Sequence, residues 1–221
     1  MCGRFSITQP TEAMARLFDA APSNDLPPVP NYNVCPTNDV ATVVAGDGVR
    51  RLVAMRWGFI PTWYKTPTDG PLLINARAET IAQKPAFAEA CRTRRCLIPA
   101  DGFYEWTKDE TGARLPWYLY RADGQAMVFA GVWQTWRMGD QDLTTCAIVT
   151  TAANERLSAI HKRQPVILNP DQWALWLGEA GHGAARLMRA GPEDQVDFYR
   201  VGTAVNSNRA SGPDLTKQIN F

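Results

Sequence analysis

The chain has 221 residues, 45% of them hydrophobic, with a formal net charge of +1. That is ample apolar content for a core, but it gives no global positive field to attract a nucleic acid. Lysine stands only at 65, 84, 108, 162 and 217, so any polyanion site must be a local groove built on arginine; a GC-rich genome would give the same arginine bias. The five cysteines (2, 35, 91, 96 and 146) are irregularly spaced and the only histidines are His161 and His182. This argues against a zinc site with paired ligands, and no metal or cofactor is expected. No apolar run approaches the roughly 18 residues of a membrane span. A cytoplasmic protein with free thiols and no membrane partner is expected, acting as a monomer.

The chain opens Met1-Cys2-Gly3-Arg4-Phe5. If Met1 is removed, Cys2 carries a free α-amine beside its thiol. The amine has a reference pKa of about 7.7–8.0, and the thiolate is a strong nucleophile. Such a 1,2-aminothiol can condense with an aldehyde and close a thiazolidine ring. The alternative is a buried apolar residue at the start of a strand.

Residues 11–18 (Thr11 to Phe18) read as an amphipathic helix capped by Thr11, and the proline-rich run 22–36 as extended chain. Runs 39–45 and 49–57 flank Gly46-Asp47-Gly48, a hairpin signal. Trp57-Gly58-Phe59-Ile60-Pro61-Thr62-Trp63 clusters aromatics at a bend, either stacking on unpaired bases or anchoring core. Further strands are predicted at 96–99, 102–107, 115–121, 126–136 and 143–151. Helices are predicted at 81–92, 153–160, 170–177 (cap Asn169, Pro170 at N1) and 183–190. Strands without regular helix alternation argue against a doubly wound sheet. The expected fold is α+β: a single domain over 1–221 with a mixed, mainly antiparallel, barrel-like sheet, peripheral helices and an irregular, polar segment at about 205–221.

Three polar residues stand out inside these runs. Strand alternation puts Glu105 on the face of Phe103; facing inward it would be a desolvated proton shuttle, facing outward a solvated charge. His161 precedes Pro165 at a helix end, as a catalytic or a capping imidazole. Asn75 follows Leu72-Leu73-Ile74 and either closes a turn or orients a ligand. Arg4 and Arg77, each two residues beyond Cys2 and Asn75 respectively, could bind phosphate or be salt-bridged.

Together these stretches resemble the SOS-response-associated peptidase (SRAP) family of abasic-site processing proteins. The matching blocks are Met1-Cys2-Gly3-Arg4-Phe5, Tyr32-Asn33-Val34 with Pro36, Trp57-Gly58 with Ile60-Pro61, and Ile74-Asn75-Ala76-Arg77-Ala78-Glu79-Thr80. Next come Lys84-Pro85 with Phe87, Arg95-Cys96-Leu97-Ile98-Pro99, Gly102-Phe103-Tyr104-Glu105-Trp106, Phe129-Ala130-Gly131, Thr150-Thr151-Ala152 and the His161 segment. The resemblance implies a protein that crosslinks itself to abasic sites in single-stranded DNA, with Cys2, Asn75, Glu105 and His161 as catalytic residues. It implies autolytic removal of Met1 and a minor AP-lyase reaction. It also implies phosphate contacts from Arg4, Arg77 and Lys84, and base contacts from Trp57 and Phe59. The chain departs from the family pattern at Gln164, where methionine is expected, at Cys35, where alanine is commoner, and in its loosely matching tail. A mature Cys2 would also suit an N-terminal-nucleophile glutamine amidohydrolase, with a four-layer sandwich, or a non-enzymatic reader of damaged DNA.

Overall fold

Five of the apolar runs close on one another into a barrel. The computed structural model describes residues 2–23 and 25–219. Their elements are β1 (Phe5–Ile7), α1 (Thr11–Phe18), β2 (Ala20–Pro22), β3 (Asn31–Val34), β4 (Asp39–Gly46), β5 (Val49–Trp57) and β6 (Asn75–Arg77). They continue with α2 (Ala88–Thr93), β7 (Arg95–Ala100), β8 (Gly102–Lys108), β9 (Arg114–Arg121), β10 (Met127–Met138) and β11 (Gln141–Ala152). The last are α3 (Glu155–Ser158), β12 (Arg163–Pro165), α4 (Pro170–Leu177) and β13 (Val196–Arg200).

The β4–β5 hairpin turns at Asp47 and Gly48, both with positive φ (53° and 73°), as a tight right-twisted hairpin requires. From there the ring runs β5–β4–β7–β10–β11 and closes where β11 pairs in parallel with β5 (Thr145 with Arg56, Cys146 with Trp57). Strands β2, β6 and β12 extend this sheet. A second, wholly antiparallel sheet runs β13–β9–β8–β1–β3. One apolar core joins the two, through residues such as Phe5, Trp57, Phe103 and Phe129. The helices, four to eight residues long, lie at the periphery. They do not form the covering layers that the glutaminase alternative requires. No helix among the described residues is long and apolar enough to cross a membrane.

Local signals decided several elements and tertiary packing moved others. Asn169 caps α4 with a full capping box from Gln172. Helix α1 is present as expected, but Thr11 is its first residue and Pro10 occupies the cap without a side-chain bond. The helix expected at 81–92 is a series of turns until Ala88, because Pro85 has no N–H and biases Lys84 away from helical backbone. The helix at 153–160 contracts to α3, capped by Asn154, and that at 183–190 to a 3₁₀ turn, Ala184–Leu187.

The C-terminal segment, though polar in composition, carries apolar anchors. It folds into two 3₁₀ turns, Thr203–Asn206 and Pro213–Thr216, that bury Val205 and Leu215. With Val201 these pack on Tyr104 and Tyr118, making a second cluster on the far side of β8 and β9. Burial of each such aliphatic side chain contributes about 1.5–3 kcal/mol. Both faces of β8 are therefore covered.

Gly102 opens β8 where it crosses β1 and β9. A Cβ there would lie 2.5 Å from the Leu119 carbonyl oxygen and 2.6 Å from Tyr118 Cζ, so β9 would have to move. Gly102→Ala is expected to destabilise the fold by about 1–3 kcal/mol in urea unfolding; an unchanged midpoint would show that the β8–β9 pair has slack.

Candidate active site

The pairing of β1 with β8 brings the N-terminal segment onto the strand that carries Glu105. Phe5 faces Phe103, Ser6 faces Gly102, and the Tyr104 N–H donates to the Arg4 carbonyl (2.9 Å). Cys2 is thereby fully buried. Asn75, the first residue of β6, is delivered by parallel pairing with β11 opposite Ile148. Its Nδ2 donates to the Cys2 carbonyl oxygen (2.9 Å), while its buried Oδ1 has no hydrogen-bond partner among the described residues.

Glu105 lies mid-strand opposite Trp117, on the Phe103 side as alternation predicted, and is only 5% exposed. Burial pushes the Cys2 thiol up from its ordinary pKa and the neighbouring Glu105 carboxylate pushes it further, while the Arg4 main-chain N–H works the other way. Both effects favour the thiol over the thiolate at this position.

His161 follows α3, its N–H bonded to the Leu157 carbonyl (3.0 Å). Its Nδ1 stands 3.8 Å from Glu105 Oε1, with the ring about one-third exposed. The same nitrogen is 3.0 Å from both the N–H and the carbonyl oxygen of Arg163. The Arg163 backbone therefore offers a donor to an unprotonated Nδ1 and an acceptor to a protonated one. The ring is steadied through either state. Arg163 is itself fixed by a two-pronged ion pair with Glu79 (2.7 and 2.9 Å).

Cys2, Asn75, Glu105 and His161 thus come from four separate stretches to one corner, Cys2 and Glu105 buried and Asn75 and His161 partly exposed. Arg77, two residues beyond Asn75, is exposed and forms no ion pair with another described residue. Arg4 is half-buried, its Nη1 bonded to Asn33 Oδ1 (2.7 Å) and the Val205 carbonyl (3.1 Å), with its guanidinium 5.8 Å from the Trp106 ring centroid. Lys84 is exposed on the turns before α2.

Trp57 and Phe59 do not reach the surface. They are 0% and 1% exposed, because the β5–β11 closure draws them into the core. Trp57 packs on Phe5 (ring centroids 5.1 Å) and its Nε1 donates to the Ile74 carbonyl (3.0 Å); Phe59 packs on Phe87 (5.0 Å). Their effect on the site is to seat β1 and the residue before Asn75. The exposed aromatic of that stretch is Trp63, 58% accessible, on the loop leading to Asn75. Sequence reasoning also missed the contribution of the tail. Asn33 Nδ2 donates to the Ser207 and Ala210 carbonyls, Trp106 Nε1 to Asn206 Oδ1 (2.6 Å), and the Cys35 thiol to the Asn33 and Asn208 carbonyls. Asn33, Trp106 and Cys35 each lay in or beside a family block, but nothing in the sequence pointed them toward the tail. No group of three His, Cys, Asp or Glu residues placed to hold a metal occurs among the described residues.

The chain is similar over nearly its whole length to several known proteins. Abasic site processing protein YoqW of Bacillus subtilis is 33% identical over 222 residues, covering 97% of this chain and 98% of that protein. Abasic site processing protein YedK of Escherichia coli is 33% identical over 228 residues, covering 99% of this chain and all of YedK. The mouse abasic site processing protein HMCES is 29% identical over 266 residues, covering 97% of this chain and 75% of HMCES. A crystal structure of a Bacteroides thetaiotaomicron protein superposes with a TM-score of 0.86 at 24% identity, covering 99% of this chain and all of that one. The family model for SOS response associated peptidase (SRAP) matches residues 1–208, and the chain belongs to that family.

Proposed function

We propose that the protein captures abasic sites in single-stranded DNA as a covalent thiazolidine through a mature Cys2 freed of Met1. The observation that carries this is the convergence of Cys2, Glu105 and His161, with Asn75 holding the Cys2 carbonyl. An abasic deoxyribose exposes an aldehyde when its ring opens. The Cys2 α-amine attacks C1′ and water leaves, giving an imine. The Cys2 sulfur then bonds to C1′, and the thiol proton ends on the nitrogen. Glu105 is placed to accept and return the thiol proton, and His161 to serve ring opening and dehydration. Loss of such an acid–base group costs roughly 10²–10⁴-fold in rate.

Asn75 keeps the Cys2 carbonyl fixed, so the amine and thiol meet the aldehyde in one orientation. Arg4 and Arg77 flank this corner as phosphate ligands, with Lys84 farther along the surface. Trp63, rather than Trp57 or Phe59, is the aromatic available to stack on an unpaired base. An imine at C1′ also acidifies C2′, so elimination of the 3′ phosphate is a side reaction of the same intermediate. The N-terminal methionine must leave first, since a peptide-bonded Cys2 nitrogen cannot form an imine.

Incubation with abasic single-stranded DNA should give a band that survives a denaturing gel and disappears with Cys2→Ala. That variant keeps its α-amine, so borohydride should still trap an imine; failure to trap would mean the amine is not the first nucleophile. Glutamine hydrolysis without a band would favour the amidohydrolase alternative, and DNA binding without a band the reader.

Intact-mass measurement of the crosslinked species should show a protein lacking Met1, whereas a crosslink on chain that retains methionine would sink the aminothiol mechanism. Glu105→Gln removes a charge that raises the Cys2 pKa, so the pH midpoint of Cys2 alkylation, followed by peptide mass spectrometry, should move down. A midpoint that stays in place or rises would show that no carboxylate charge is felt at the sulfur.

A further inference from the structure

Arg4 is a half-buried cation with no carboxylate partner among the described residues. Two oxygen acceptors hold its Nη1, Asn33 Oδ1 at 2.7 Å and the Val205 carbonyl at 3.1 Å. Its Nε is buried without a hydrogen bond. A guanidinium held on one edge by neutral acceptors, with no counter-charge, is arranged for an anion on its remaining donors.

The Asn33 side chain that sets this arrangement is 7% exposed. Its amide can point only one way. One end meets the Arg4 guanidinium, which can only donate; the other meets the carbonyls of Ser207 (3.2 Å) and Ala210 (2.6 Å), which can only accept. The Asn33 N–H is in turn bonded to Asn31 Oδ1 (2.9 Å). The 205–210 segment is thus a strap whose backbone carbonyls fix Asn33, and both Asn33 and Val205 fix Arg4. The strap is pinned independently by Trp106 Nε1 on Asn206 Oδ1 and by the burial of Val205.

On the reading of Arg4 as a DNA-phosphate ligand given above, we propose that Asn33 is a positioning residue that, clamped by the C-terminal strap, holds Arg4 for the phosphate beside the abasic sugar. The strap thereby forms part of the DNA site although it contributes only backbone carbonyls to Arg4 and Asn33. Asn33 touches neither the reacting atoms nor, on this geometry, the phosphate itself.

The test uses non-covalent binding of single-stranded DNA carrying a tetrahydrofuran abasic analogue, which has no aldehyde for the α-amine to attack, to full-length protein in a Cys2→Ser background, titrated across salt concentrations. Asn33→Ala should weaken binding about tenfold and reduce the slope of log K against log salt by about 0.7, the contribution of one single-strand phosphate. Crosslinking by the Cys2 protein at saturating DNA should change much less. Adding Asn33→Ala to Arg4→Ala should weaken binding no further, because coupled residues are not additive. Asn33→Asp keeps the acceptor toward Arg4 but supplies an internal counter-charge. It should lose the same salt slope while its thermal unfolding stays cooperative, which keeps the test open if the alanine variant folds poorly.

An unchanged slope in the folded Asn33 variants, or full additivity with Arg4→Ala, would overturn the positioning role. Binding that Arg4→Ala itself leaves unaltered would overturn the phosphate role of Arg4. No affinity of the Cys2→Ser protein for the DNA would overturn the functional proposal and the positioning role with it.

Discussion

The short antiparallel pairing of β1 with β8 is the constraint on which the site depends. Two residue pairs and the Tyr104-to-Arg4 hydrogen bond lay the first residues of the chain against the strand bearing Glu105. Chain termini ordinarily fray unless something ties them down. Here Phe5 is clasped between Trp57 and Phe129 (centroids 5.1 and 5.9 Å), so Cys2 lies inside the protein rather than on a loose end. On the proposed mechanism the amine and thiol of Cys2 must meet the aldehyde in one geometry, and this pairing would supply that fixation.

The barrel supplies the remaining parts to this pairing. Closure of β11 on β5 buries Trp57, and Trp57 grips the carbonyl just before Asn75. The same β11 pairs with β6 on one side and with β12 on the other, so one strand sets the position of both Asn75 and the segment that follows His161. The thiol then sits in a buried corner beside Glu105, and burial and that neighbouring charge raise its pKa.

On the outer face the second sheet is not open to water. The tyrosine-rich surface of β8 and β9 is roofed by Val201, Val205 and Leu215. The segment that makes this roof also closes on Asn33 and Arg4. One short segment therefore both covers the outer face of β8 and β9 and supplies the carbonyls that hold Asn33 and Arg4.

Much of this was legible in the residues themselves. The Asp47-Gly48 hairpin, the Asn169 cap, the strand alternation that turned Glu105 toward Phe103, and the α+β class all rest on interactions between near neighbours in sequence, which local chemistry decides. Cys2, Asn75, Glu105 and His161 stood out because each was a polar residue in an apolar or terminal setting. Only the tertiary structure decided that Trp57 and Phe59 are core while Trp63 is exposed, that the polar-looking tail is a packed strap, and that Arg4 finds its partner 201 residues away in the chain. Composition and period report which faces a segment can bury. Which distant element comes to cover that face is a property of the closed barrel, and no local pattern encodes it.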